Sequence, residues 1–298
     1  MRYATPAAFR AALEQRLANT ARETGTDLDR LRRRAVFERI LARLAAAPDE
    51  RWILKGGFAL EVRLGDQARA TRDLDVAMSD AGQDASEVRD ALIDALARDA
   101  SDSFTFAVSS PTRLAPDEAG RPGWRFAVTA SLAGRVFQSV RVDAVARVEE
   151  IEGRTELIGL RTFFDFADLE DIQVEVVDLR QHFAEKLHAL TRDYGDRPNT
   201  RVKDLPDLLI LIEGGLAPDR DLRAAVESLF AARAAHAVPA RLPSPPVSWR
   251  TKYAELADEL ALHETDLAAA HARLQDFWAT ALADTEGPDA PHPDGDIR

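Results

Sequence analysis

From residue 52 the chain reads Trp-Ile-Leu-Lys-Gly-Gly-Phe-Ala-Leu, and from residue 71 Thr-Arg-Asp-Leu-Asp-Val. This stretch constrains the fold more than any other. The apolar run Trp52-Ile53-Leu54 predicts a short strand that runs into Lys55-Gly56-Gly57. A short helix, Phe58 to Leu64, follows, and Asp73 to Met78 predicts a second strand. A strand entering a Gly-Gly turn and then a helix presents free backbone N–H groups at a helix N-terminus, and glycine lets an anion come close to them. Triphosphate oxygens suit such a cradle. Asp73 and Asp75 lie two apart on a strand, so their carboxylates share one face. Side by side they repel unless a cation lies between them. Mg²⁺, a hard ion often shared with substrate phosphates, matches those oxygens.

A third carboxylate lies further on. Trp124 to Leu132 and Val136 to Val145 predict strands flanking the hairpin signal Ala133-Gly134-Arg135. In the second of them Val140, Val142 and Ala144 face opposite to Arg141, Asp143 and Val145. A sheet that set this strand beside the Asp73–Asp75 strand would complete a carboxylate triad for two metals, an arrangement suited to in-line displacement at phosphorus. Taken singly, each element has a plainer reading. Gly-Gly is common in turns, Asp-x-Asp is often a turn-edge or capping feature, and a lone Asp on a strand usually faces solvent.

Around these elements the sequence predicts a mixed sheet with helices. Ala8 to Ala21 is rich in strong helix formers, and Asp27 is placed to cap a second helix whose apolar stripe runs from Leu28 to Leu44, before Pro48. Ser86 is placed to cap a helix over Val88 to Ala97, and Phe104 to Val108 reads as a strand. From His182 the pattern turns helical: Phe183 to Asp193, Asp204 to Glu213, Asp221 to Ala235, and one long stretch from Trp249 to Ala283 beyond the Pro-rich loop Pro239 to Pro246. The expected organisation is a lobe over 1–180, a helical lobe over 181–283 with the active site between the two, and a disordered tail over 284–298.

In order and spacing these segments resemble the hG[GS]…DxD…D signature of the polymerase-β-like nucleotidyltransferase superfamily, and more closely the AbiEii toxin branch that includes the mycobacterial MenT toxins. Ala184-Glu185-Lys186-Leu187-His188-Ala189-Leu190 resembles that branch's K-L-x-A helix, and Arg201-Val202-Lys203-Asp204-Leu205-Pro206-Asp207-Leu208 its R-x-K-D-x-x-D-L motif. The resemblance implies an α/β (α+β) nucleotidyltransferase fold with a mixed sheet, flanking helices and a helical C-terminal lobe. It implies transfer of a nucleoside monophosphate from an NTP to RNA, at the 3′ acceptor end of tRNA, in a toxin–antitoxin or phage-defence system with an AbiEi-like antitoxin encoded nearby.

By the same resemblance Asp73, Asp75 and Asp143 hold Mg²⁺, or Mn²⁺ in its place, and Asp143 helps to activate the acceptor hydroxyl. Lys55, Gly56, Gly57 and Arg72 surround the phosphates. Lys186 supplies a compact cation for them, against the plainer reading of a snorkelling surface lysine. Asp204 contacts the base, the ribose or Lys186, or is simply a helix N-cap. His188 reads as structural. One departure stands out: members often carry Ser or Thr directly after the two glycines, and here that residue is Phe58.

Bulk properties narrow the alternatives. The net charge of −12 disfavours a nonspecific nucleic-acid binder, although Arg30, Arg32, Arg33, Arg34, Arg39 and Arg43 cluster as either a solvated helix face or an RNA-contact patch. With no cysteine, thiolate chemistry and disulfides are excluded. No apolar run approaches the roughly 20 residues of a membrane span, and a cytoplasmic protein is expected. Two other functions fit the same chain: nucleotidyl transfer to a protein or small molecule, and an inactive nucleotide-binding module, for which Phe58 is the only support.

Overall fold

The structure is a computed structural model, and it describes residues 3–47, 50–78, 84–115, 122–146, 151, 153–160 and 163–284. The chain divides into two compact units, Met1–Asp178 with Ala232–Ala235, and Leu179–Ala231 with His236–Arg298. Apart from Asp284, the expected tail lies outside the described residues, as does Pro48.

In the first unit, helix α1 (Pro6–Thr24) ends on Gly25, whose positive φ of 70° closes the helix. Asp27 caps α2 (Leu28–Ala45) by accepting from the Arg30 amide. Strand β1 (Trp52–Lys55) runs directly into α3 (Gly56–Leu64), and β2 (Asp73–Met78) follows. Helix α4 (Ala85–Leu96) starts earlier than expected: Asp84, rather than Ser86, is its cap and accepts from the Ser86 amide. Next come β3 (Phe104–Val108), β4 (Thr112–Arg113), β5 (Gly123–Leu132), β6 (Arg135–Ala146), β7 (Thr155–Leu160) and β8 (Ile172–Val177).

The sheet order is β3-β5-β6-β2-β1-β8-β7, with β4 also paired to β5. It is mixed: β2 runs parallel to β6 and β1 parallel to β8, while the other pairs are antiparallel. The β5–β6 turn uses two residues of positive φ, Ala133 and Gly134, the backbone a two-residue hairpin requires. Strands β4, β7 and β8 are absent from the sequence prediction. The β8 alternation, Ile172, Val174 and Val176 against Gln173 and Glu175, was nevertheless readable as half-buried strand.

One sheet face is sealed by helices. Leu74, Val76, Phe126, Val128, Val142 and Ala144 are fully buried in a core that also takes Phe9 and Leu13 of α1, Phe37 and Ile40 of α2, and Leu92 of α4. The arginines of α2 do not form an open patch. Arg39 and Arg43 are buried, and Asp102, itself fully buried, accepts from both ends of the Arg43 guanidinium at 2.7 and 2.6 Å. Arg30, Arg32, Arg33 and Arg34 pair with Glu61, Glu14, Asp29 and Glu38. Arg30, Arg32, Arg33 and Arg34 remain partly exposed, whereas Arg39 and Arg43 are sealed.

In the second unit, α5 (Leu179–Thr191) precedes α6 (Asp204–Glu213), whose Leu205, Leu208, Leu209 and Leu211 are buried. Helix α7 (Arg220–Arg233) leads to the proline-rich loop, where the Trp249 indole N–H donates to the Asn199 carbonyl. The expected long helix is two, α8 (Arg250–Glu259) and α9 (Leu267–Ala283). The break contains Ala261 at φ 49°, and Asp266 starts α9 by capping the amides of Ala268 and Ala269. The His188 ring is fully buried against Phe230 and His236, as a structural histidine would be.

Replacing Asp102 by Ala strands two buried guanidinium groups. The unfolding free energy should fall by about 3–5 kcal/mol, read as a lower urea midpoint at unchanged slope. A change of a few tenths would mean that the pair is compensated elsewhere.

Candidate active site

The opposite sheet face carries the predicted carboxylates, beside a small buried cluster of Ile53, Ala77, Ile151 and Val177. In the parallel β2–β6 pair, Asp73 lies opposite Arg141 and Asp75 opposite Asp143. Across the next ladders Lys55 opposes Asp75 and Arg125 opposes Asp143. Directly opposed residues share a face, so Lys55, Asp75, Asp143 and Arg125 form one row over four strands, with Asp73 and Arg141 in the next row. The alternation that buries Leu74, Val76, Val142 and Ala144 turns this set outward.

Guanidinium groups hold two of the three acids. Arg125 Nε and Nη2 donate to Asp143 Oδ1 and Oδ2 at 2.8 and 2.7 Å, a bidentate fork, and Nη2 lies 3.6 Å from Asp73 Oδ2. Arg141 Nε lies 2.7 Å from Asp73 Oδ1. The hydrogen bond to Asp143, with the charges of Asp143, Asp73 and Asp75, raises the Arg125 pKa further above its ordinary value against the cost of burial. Sequence reasoning missed Arg125. The signal was present, since Arg125 is the one cation on the outward positions of a strand that otherwise alternates Trp124, Phe126 and Val128 inward.

The glycine turn is built against the acids. Gly56 has φ +66°, and a Cβ there would stand 2.1 Å from Asp75 Oδ2. A Cβ on Gly57 would meet Thr71 Oγ1 at 3.0 Å and Arg69 Nη2 at 3.6 Å. No side chain caps the start of α3 and no acid lies in its first turn, which leaves an anion-binding helix end. The Thr71 hydroxyl donates to the Asp73 carbonyl at 3.1 Å. Phe58 points away from the turn: it is buried with its ring 4.9 Å from that of Phe37. A residue at this place anchors α3 in the core, which explains why an aromatic is tolerated after the two glycines. Lys55 is buried beside the turn, and Arg72 is exposed.

In the second unit the structure joins two motifs of the sequence. Lys186 Nζ donates to Asp204 Oδ1 at 3.1 Å and to Asp207 Oδ2 at 2.6 Å, and all three residues are buried. Lys186 is therefore no snorkelling surface lysine. Asp204 is the first helical residue of α6 and makes no cap; its other oxygen accepts from Arg201 Nε at 2.5 Å. Burial opposes the charge of Arg201, but Asp204 and the neighbouring Tyr194 and Asp207 outweigh it and raise its pKa. Asp207, not singled out from sequence, was legible as the i+3 partner of Asp204 on one helix face.

Among the described residues, no three acid or histidine side chains converge on a single point as a cation's ligands do. The donor set nonetheless fits a hard divalent ion. Asp75 and Asp143 are in-register neighbours on adjoining strands, Asp73 lies one row away on the same face, and the guanidinium of Arg125 stands where a cation's charge is needed. The carboxylates are drawn toward arginines rather than toward one centre because three like charges need a counter-charge in any state of the site.

The fold is that of a nucleotidyltransferase toxin. MenT4, a nucleotidyltransferase toxin from Mycobacterium tuberculosis H37Rv, superposes with a TM-score of 0.55 over 90% of this chain and 89% of its own, at 21% identity. A nucleotidyltransferase candidate from H. pylori aligns over 86% of this chain and 94% of its own at 13% identity, with a TM-score of only 0.43. No curated protein matches significantly. The family profile of the nucleotidyl transferase AbiEii toxins, of the type IV toxin–antitoxin system, matches residues 39–291, and the chain belongs to that family. It is thus a nucleotidyltransferase with an NTP as substrate, in a toxin family paired with antitoxins. Among the described residues, no helix is long and apolar enough to cross a membrane.

Gly56→Ala forces a non-glycine residue to positive φ and drives a methyl into the Asp75 carboxylate. The variant should lose about 1–2 kcal/mol of stability from the backbone alone, seen as a lower melting temperature. Nucleotidyl transfer should fall much further than that loss of folded protein explains.

Proposed function

We propose that the enzyme transfers a nucleoside monophosphate from an NTP to RNA, with the 3′ acceptor end of tRNA as acceptor, as the toxin of a phage-defence pair with an AbiEi-like antitoxin. The observation that carries nucleotidyl transfer at this face is the in-register pairing of Asp75 with Asp143, directly beside the glycine turn. Family membership supports the RNA acceptor. Of the α2 arginines, Arg39 and Arg43 are buried and take no part in it.

In this reading the Gly56–Gly57 turn and the uncapped amides of α3 bind the triphosphate, with Lys55 and Arg72 neutralising its charge. Asp73, Asp75 and Asp143 hold a divalent cation, Mg²⁺ by the hardness of the donors, which when bound supplies charge for the leaving pyrophosphate and acidifies the acceptor hydroxyl. Asp143 orients that hydroxyl and accepts its proton. Lys186 contributes positive charge to nucleotide binding, its ammonium pre-oriented by Asp204 and Asp207 rather than left to search rotamers. The reaction belongs in the cytoplasm, where NTPs and tRNA are present together.

The test is incubation of the purified protein with total tRNA, Mg²⁺ and each α-³²P-labelled NTP in turn, beside Asp75→Ala. Label should enter tRNA from one or more NTPs and fall at least about 100-fold in the variant, more than loss of a residue outside the ligand set costs, with the melting curve unchanged. Equal labelling by the variant would remove this face from the chemistry. Labelling of a protein or small molecule, with none on tRNA, would overturn the acceptor.

A further inference from the structure

Granting that Asp73, Asp75 and Asp143 hold the cation, we propose that Arg125 is a resident counter-ion of this face: its guanidinium occupies the oxygens of Asp143 that the cation needs, so the cation binds by displacing it. The fork takes both oxygens of Asp143 at 2.8 and 2.7 Å, leaving that carboxylate no unoccupied oxygen toward β5. The same Nη2 reaches within 3.6 Å of Asp73 Oδ2, so one side chain spans both rows of acids.

Charge points the same way. Asp73, Asp75 and Asp143 are balanced by Lys55, Arg125 and Arg141 on the shared face, three acids against three bases. A divalent cation approaching this set meets no net negative charge. Attraction grows when a guanidinium leaves or a triphosphate arrives, so the cation alone binds weakly and binds more tightly with the nucleotide present.

Arg125 can leave. Its backbone is held between Thr112 of β4 and Asp143 of β6, but its side chain is 34% exposed, whereas Arg43 and Arg39, which join elements, are 2% exposed. A long side chain rooted on a rigid strand and open to water exchanges partners by rotamer change without moving the sheet. Once released it lies beside the face that takes the triphosphate, where a planar fork pairs with phosphate oxygens as well as with a carboxylate.

The prediction runs against the usual effect of removing a charged residue from an active site. In the nucleotide-free, full-length protein, Mn²⁺ binding followed by electron paramagnetic resonance should be about tenfold tighter in Arg125→Gln than in the unmodified protein, since a charge-assisted bidentate pair no longer competes. Arg125→Lys, which offers a point charge and no fork, should fall between them. Adding Asp143→Asn to Arg125→Gln should cancel the gain, tying it to this carboxylate. A residue that merely braced the sheet would leave Mn²⁺ affinity unchanged or weaken it, and either result, or no Mn²⁺ binding in any variant, overturns the proposal. If Arg125→Gln does not melt cooperatively, Arg125→Lys carries the same test with a smaller shift. Transfer that depends on Asp75 while Mn²⁺ affinity ignores Arg125 removes this inference alone; transfer that survives Asp75→Ala removes the site itself.

Discussion

The parallel pairing of β2 with β6 is the constraint on which the rest of the site depends. Side chains alternate along a strand, so a slip of one residue would carry Asp143 into the core and Val142 out to the open face. The register is enforced from the other side of the sheet. Leu74, Val76, Val142 and Ala144 pack together under α1, α2 and α4, and all four are fully buried. Burial of such side chains is worth roughly 1.5–3 kcal/mol each for the larger ones, more than the repulsion of carboxylates already paired with arginines opposes. The apolar face therefore positions the acidic one.

Having assembled like charges, the chain must neutralise them, and it does so with arginine wherever geometry calls for a fork. Arg125 on Asp143, Arg43 on Asp102 and Arg180 on Asp219 each place two guanidinium nitrogens toward one carboxylate. Burial separates their roles. The Arg43–Asp102 pair is sealed and joins α2 to the start of β3, while in the Arg125–Asp143 pair the guanidinium remains 34% exposed. The lysines follow another logic: Lys186 sits as a compact charge between two buried aspartates, where an ammonium can satisfy two acceptors in different directions.

Much of this was legible in the residues. Gly25 and Asp27 end and start helices as glycine and aspartate do. The Asp73–Met78 and Phe104–Val108 strands have the predicted limits, and the β5–β6 hairpin forms where Ala133-Gly134 stands. Where the reading stopped short, the cause was a local signal of the wrong kind. The exposed β7 has little alternation to detect, and the Trp249–Ala283 stretch keeps its helix formers through a break that Asp266 marks only by its cap. Asp204 was equally able to cap a helix or meet a lysine, and sequence cannot weigh a partner 18 residues away.

The sequence by itself determined which side chains face out of the sheet, because the period of two is a property of the strand, and it determined the glycine turn, because few residues other than glycine adopt φ +66° beside a carboxylate. Tertiary structure alone decided the partners. Asp143 stands beside Asp75, Arg125 closes on Asp143, and Lys186 lies between Asp204 and Asp207, only because distant segments are brought into register by burial of the core. Hydrophobic burial is non-directional and acts over the whole chain, so the pairings it enforces are not written in any local stretch.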